Sequence, residues 1–410
     1  MMVDFKQKYW KWVILIGCGV YCFFEAAGKD DFYIFLSAAD DLKAPINVFE
    51  KTYVDGYHYY YSVFFALLLK PFVSLPYSTL KFCWLFFNCL LFINLLQILF
   101  KSDLVKKLPV QKQSLFVILV FISSLQFFTE NINSSQITIL ILWCCIKGLM
   151  LIENQKLVAG AAILALGINI KLLPLVLIPY LFYRGYFKAV VYTICFYFGM
   201  MFLPSFIIGY EYNMQLLSTW LSLINPLNKA HVLDVAERSF HGLSTLLSTL
   251  FVENIPDEYA LKLKRNIADV NLETLSKIIL GARLFLISLT LYFLKFNFFK
   301  KAKSNLSLCL EVSYILLLIP LIFPHQQHYA FLFAIPAFSL ILYFIFLNNA
   351  HSNKVIIGLT ILIYLIFNLK LLLGVFNSYY EHYKIITYAA LLIIPILIYI
   401  SRRKLFFSGQ

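Results

Sequence analysis

Two consecutive carboxylates, Asp30 and Asp31, follow the first apolar run of the chain and lead straight into Phe32-Tyr33-Ile34-Phe35. Ionisable groups are rare in and beside apolar segments, and those that occur there mark candidate functional sites. A solvated loop at a helix end accounts for the same pair, and position alone leaves both readings open. Lys171 lies between two short apolar runs, where a lone charge is costly. A phosphate partner would relieve that cost, and so would snorkelling of its stem to an interface. Arg238 and His241 open a further apolar run, where phosphate or sugar contact and a plain surface helix both fit. His325 and His328 flank Gln326 and Gln327. Two histidines at i, i+3 could begin a metal site, but no third ligand is near in sequence. Hydrogen bonding to a phosphate or sugar suits them better, and an interfacial structural role is the alternative.

These residues are set in a chain that is 61% hydrophobic, 18% aromatic and only 13% charged over 410 residues. Apolar runs close to the ~20 residues needed to cross a bilayer recur along its length. The alternating short segments of a membrane β-barrel are absent. The sequence therefore predicts an all-α polytopic membrane protein. Its net charge of +13 does not point to nucleic acid, because the basic residues follow the positive-inside pattern. Clusters at Lys6–Lys11, Lys101–Lys112, Arg184–Lys188, Lys295–Lys303 and Arg402–Lys404 alternate with acidic stretches at 30–55 and 211–273. Eight cysteines, all in apolar runs and without metal or disulfide spacing, read as small buried hydrophobes.

The first run, 12–27, reads as an uncleaved signal anchor with the N-terminus inside. Segments 33–43 and 60–75, within an external region 28–79, read as juxtamembrane helices rich in interfacial tyrosine. Further spans are predicted near 81–100, 114–129, 137–152, 157–170, 172–183, 188–208, 275–295, 307–323, 329–348, 354–373 and 385–400. That gives about twelve spans in a single domain, both termini cytoplasmic, with a long external loop at 209–274 holding a helix near 257–269. Asp30, Asp31, Gln136, Lys171, Arg238, His241, His325, Gln327 and His328 then all fall on the external side.

Several of these segments resemble glycosyltransferase family 87, enzymes of the GT-C fold that use polyprenyl-phosphate sugars and include many mannosyltransferases. Asp31-Phe32-Tyr33-Ile34-Phe35 is similar to the family's Asp-apolar-x-apolar-Tyr motif, with Phe35 in place of Tyr. A tyrosine-rich stretch with Tyr61-Ser62 near the place of Tyr-Pro-Pro follows, then the leucine-rich run to Leu75-Pro76. Ser135-Gln136-Ile137-Thr138 keeps only the glutamine of Gly-Gln-x-Asn. Ala159-Gly160, Lys171-Leu172-Leu173-Pro174 and Pro179-Tyr180-Leu181 resemble a further run. Arg238-Ser239-Phe240-His241-Gly242 stands where Asn-Gln-Ser-Leu-x-Gly is expected, and Pro324 to His328 with Pro336-Ala337 resembles Ser-Pro…His-His…Pro-Ala. The similarity covers roughly 12–345.

The resemblance implies transfer of a sugar, with mannose the leading example, from a polyprenyl phosphate to an external glycan or glycolipid acceptor, with inversion. No cofactor, no metal-ligand set and no nucleic-acid partner is read from the sequence, which leaves metal dependence open and expects membrane lipids as surroundings. A phosphate is already a good leaving group, so the reaction needs a base for the acceptor hydroxyl and cations for the departing phosphate. Asp31 suits the base, with Asp30 as the alternative. Lys171, Arg238, His241, His325, Gln327, His328 and Gln136 are the expected substrate contacts. Two other classes remain in view: a lipid-linked oligosaccharide flippase, which calls for polar residues lining a path, and an O-antigen polymerase or ligase, which relies on loop arginines.

Overall fold

The computed structural model describes residues 2–225, 240–253, 255, 261–295, 297–347 and 354–403, with side chains from Trp12 onward except at positions 55 and 103. Among them all regular structure is helical, with two isolated bridge pairs, Thr52–His58 and Phe240–Gln327. Among the described residues, seven helical stretches are long and apolar enough to cross a membrane: Tyr77–Lys101, Val110–Asn133, Phe187–Ile208, Leu272–Leu294, Asn305–Ile322, His328–Leu347 and Lys354–His382. Shorter apolar helices occur at Trp12–Glu25, Val63–Phe72, Leu157–Ile170, Leu173–Tyr183 and Ile385–Ser401. The expected twelve spans thus meet seven of full length.

Chain contacts divide the protein into two compact units. The first comprises Met1–Leu96, Thr129–Pro174 and Val191–Ile224. Its helices are α1 (Met2–Glu25), α2 (Asp31–Asp41), α3 (Val63–Leu69), most of α4 (Tyr77–Lys101), the end of α6 (Val110–Asn133), α7 (Thr138–Glu153), α8 (Leu157–Ile170), most of α10 (Phe187–Phe202), α11 (Ser205–Ile208) and α12 (Tyr210–Leu223). The short helix between α4 and α6, α5 (Asp103–Lys106), falls in the second unit. The juxtamembrane segments expected at 33–43 and 60–75 are α2 and α3, the latter ending in a 3-10 turn at Lys70–Phe72 where Pro71 withdraws a donor.

Helix α2 starts where Asp30, in extended backbone, accepts the Phe32 N–H on its carboxylate. It buries Phe32, Ile34, Phe35, Leu36, Ala38 and Ala39. Phe32 stacks on Trp84 of α4 at 5.4 Å between ring centres, and Phe35 meets Tyr61 edge-on at 4.7 Å. Helices α7 and α8 form an antiparallel hairpin whose seam is made of small residues. A Cβ on Gly160 would lie 2.7 Å from the Gly148 carbonyl oxygen, and one on Gly167 2.8 Å from the Cys144 Cβ. Small side chains of this kind let membrane helices approach to backbone contact. Because the hairpin is antiparallel, residues just before α7 and just after α8 share one end. Helix α8 stops at Lys171, which is extended (φ −147°, ψ 126°), two residues ahead of the helix-incompatible Leu173-Pro174 junction.

The second unit comprises Gln97–Phe128, Leu175–Val190 and Asn225–Gln410. It contains α9 (Leu177–Tyr183), α13 (Leu243–Phe251), α14 (Leu272–Leu294), α15 (Asn305–Ile322), α16 (Ile335–Leu347), α17 (Lys354–Leu373), α18 (Asn377–His382) and α19 (Ile385–Ser401). Its core is α15, the 3-10 turn His328–Ala334, α16 and α19, buried along most of their length. Glu311, a charge inside an apolar helix, is closed off by Arg184, whose Nη2 and Nε lie 2.6 and 2.8 Å from its two carboxylate oxygens.

Three expectations change. The stretch 209–274 is not plain loop, since it contains α12 and α13. The helix expected near 257–269 is absent from its described part, 261–269, where carbonyls of Leu250 and Phe251 instead take the backbone N–H groups of Ile267, Ala268 and Val270. Cys83 and Cys195 are exposed on apolar helix faces rather than buried.

Candidate active site

In the first unit two neighbouring carboxylates meet two neighbouring residues of the turn between α6 and α7. Ser135 Oγ donates to Asp30 Oδ2 at 2.7 Å, and the Gln136 side-chain amide donates to Asp31 Oδ2. Each carboxylate also has a cation of its own. Lys81 Nζ lies 2.7 Å from Asp30 Oδ2 and donates to the Gly28 carbonyl at 2.8 Å. Lys171 acts electrostatically on the Asp31 side, and its ammonium sits 5.6 Å from the centre of the Tyr61 ring. Tyr61 OH in turn reaches Gln136 Oε1 at 3.5 Å. Asn169 closes the back of the site by accepting Ser62 Oγ–H at 2.9 Å. The hairpin explains the convergence: Ser135 and Gln136 precede α7, while Asn169 and Lys171 end α8.

The two lysines differ in exposure, while both carboxylates are half-buried. Lys81 is 2% exposed, and Asp30 spends its oxygens on a helix cap, a hydroxyl and that lysine. Asp31 and Lys171 are half-buried. Burial pulls the Lys171 ammonium down to about 8, against which the Asp31 carboxylate pulls it up. A half-buried carboxylate beside a lysine that titrates near neutrality can accept a proton and hold an anion. The tyrosine hydroxyl of Tyr61 stays protonated, since burial and the Asp31 charge both push it well above its ordinary value. Sequence reasoning missed Lys81. The available signal was a lysine at the start of the apolar run 81–100.

The second unit gathers the histidines. The Phe240–Gln327 bridge and the His241 N–H bond to the Gln326 carbonyl (2.8 Å) hold 240–242 against 325–327. His328, 1% exposed, contacts Gln126 Nε2 at 2.9 Å and Tyr380 OH at 3.1 Å. The His241 and His328 rings meet edge-on at 5.5 Å. His241 is fully buried, and neither ring nitrogen has a hydrogen-bond partner among the described residues. Burial pushes its pKa well below 6.5, and the Lys384, His328 and Lys370 charges push the same way, so the ring is neutral at pH 7. His325 is half-buried with left-handed backbone (φ 54°) and packs on Phe240 at 5.2 Å. Gln327 is half-buried in the same turn. The expected site residues thus form two groups: Asp30, Asp31, Gln136 and Lys171 in one unit, and His241, His325, Gln327 and His328 in the other. Arg238 lies outside the described residues.

A model of glycosyltransferase family 87 matches residues 59–324. The chain belongs to glycosyltransferase family 87. It is therefore a membrane glycosyltransferase, acting with a sugar donor and an acceptor. No curated protein and no solved structure matches the chain. The family match takes in Gln136, Lys171, Arg238 and His241, while Asp30 and Asp31 lie before it and His325, Gln327 and His328 just beyond it. For the carboxylates and these last residues, geometry is the argument.

Proposed function

We propose that this family 87 enzyme transfers a sugar, mannose in the reading its sequence resemblance favours, from a polyprenyl phosphate to a hydroxyl of a glycan or glycolipid, with inversion. The observation that supports it best is the meeting of Asp31 with Gln136 and Lys171, both over a hundred residues later in the chain, at one end of the α7–α8 hairpin. Asp31 takes the proton of the attacking acceptor hydroxyl. The hydroxyl oxygen bonds to the anomeric carbon as the bond from that carbon to the phosphate oxygen breaks. The electron pair leaves on the phosphate, whose charge Lys171 stabilises. Gln136 holds Asp31 in place. His241 and His328, expected from the sequence as further contacts to a sugar or phosphate, belong to the second unit.

The site faces the outside of the cell membrane, with both termini cytoplasmic; the separation of basic clusters from acidic segments supports this orientation. The flippase reading called for polar residues lining a path. Lys81 and Glu311, charges within helices, are instead each closed off by a partner. Purified protein given radiolabelled polyprenyl phosphate mannose should consume it in the presence of a membrane glycolipid extract and should ignore nucleotide-linked mannose. Consumption of the nucleotide sugar alone would overturn the proposed donor.

A further inference from the structure

We propose that Asp30, Lys81 and Ser135 are positioning residues that hold Asp31 in its working place and set its charge state without touching substrate. The proposal rests on Asp31 being the base. It answers why two adjacent carboxylates occur where the chemistry needs one.

The Asp30 carboxylate is occupied three ways: it caps the Phe32 N–H at 3.1 Å, accepts Ser135 Oγ–H at 2.7 Å and pairs with Lys81 Nζ at 2.7 Å. Lys81 also holds the Gly28 carbonyl, as does Tyr77 OH at 3.2 Å, so the whole turn that launches α2 is fixed from α4. Ser135 is fully buried in left-handed backbone (φ 50°), which a non-glycine residue adopts only when its surroundings over-determine it. Those surroundings are the Asp30 contact and the Trp84 Nε1–H bond to the Ser135 carbonyl at 2.9 Å. Lys81 and Trp84 stand three apart on one face of α4, so a single helix surface grips both Asp30 and Ser135. The next residue along each strand of this clamp is a member of the site: Asp31 after Asp30, Gln136 after Ser135. A shift at the clamp therefore moves base and amide together.

Charge follows the same wiring. Gln136, Tyr61 and Lys171 act on Asp31 directly, Asp30 is its neighbour in the chain, and Lys81 and Tyr77 of α4 act on Asp30. Neutralising one member of the Asp30–Lys81 pair leaves the other charge uncompensated beside Asp31. Asp30→Asn keeps the shape and the cap but leaves Lys81 positive, which should lower the protonation midpoint of Asp31 by roughly one pH unit. Lys81→Met leaves Asp30 negative and should raise it by a similar amount. The double variant should return it to near the wild-type value, and Lys81→Arg should hold it there.

The test is carbodiimide labelling of the purified full chain across pH, read residue by residue by mass spectrometry. Wild-type protein should label at Asp31 with a single midpoint, with Asp30 protected. Opposite shifts in the two single variants and cancellation in the double support the proposal. An unchanged Asp31 midpoint in Asp30→Asn overturns it, as does labelling of Asp30 equal to that of Asp31 in the wild type. Should Lys81→Met fail to fold, Asp30→Asn alone decides. No donor or acceptor enters the measurement. Loss of the base assignment would show instead as undiminished transfer by Asp31→Asn, with these midpoints unaffected.

Discussion

Asp31→Asn preserves the shape of the side chain and removes its ability to take a proton. Transfer should fall about 10²- to 10⁴-fold, the usual worth of a positioned base, while donor binding persists. Steady-state kinetics with polyprenyl phosphate mannose would read this as a loss in kcat. Near-wild-type turnover would remove Asp31 from the mechanism. Lys171 calls for a different signature, because its ammonium loses its proton near pH 8. Below that value it is a cation facing the donor phosphate, and above it the attraction goes. Apparent donor affinity should therefore fall as pH rises through about 8, and Lys171→Arg, charged at any accessible pH, should abolish the fall. Lys171→Met should raise the donor KM roughly ten- to hundred-fold at pH 7, the worth of a hydrogen bond to a charged group. Asp31, Gln136 and Lys171 were legible in the sequence as charged or polar groups at the ends of apolar runs. Their meeting was legible only as a shared depth. The pairing of Lys81 with Asp30 was not legible, because nothing in one sequence says that a lysine one turn into a span has a carboxylate 51 positions earlier to neutralise it.

Helix α8 is where the site depends on an element rather than a residue. Its Gly160 faces the Gly148 carbonyl across the hairpin, with no room for a methyl group. Gly160→Ala should destabilise the protein by about 1–3 kcal/mol through overpacking and pull Asn169 and Lys171 away from Gln136. Gly199→Ala in α10, where a new Cβ meets nothing within 4 Å, should be neutral or slightly stabilising through better helix propensity. Thermal melts in detergent of the two variants side by side would check the contrast. Helix positions were largely legible from the apolar runs and their length; α2 and α3 came within a few residues of the juxtamembrane segments expected. The helix expected near 257–269 is absent from its described part, where backbone bonds to the end of α13 hold 267–270 in another conformation.

For the molecule as a whole, the positive-inside pattern makes the sharpest claim. Asp40→Cys and Lys107→Cys, both at exposed positions, should react with a membrane-impermeant maleimide from opposite faces of the membrane. Labelling of both from one face would reverse the proposed orientation. The number of full crossings was less legible than their existence, since α7 and α8 are as apolar as true spans but only 16 and 14 residues long. At the rise of an α-helix they reach about 24 and 21 Å, against a hydrocarbon layer of ~30 Å. The polar turn Asn154–Lys156 joins them at one face, and Gln136 and Lys171 lie at the other end. A hairpin too short for its solvent leaves its far end sunken, or draws the surrounding lipid thin. The phosphate of a lipid donor would then be met below the general level of the headgroups, and acyl-chain length becomes a kinetic variable. Turnover in vesicles should drop as the phospholipid chains are lengthened from fourteen to twenty-two carbons, at constant headgroup composition.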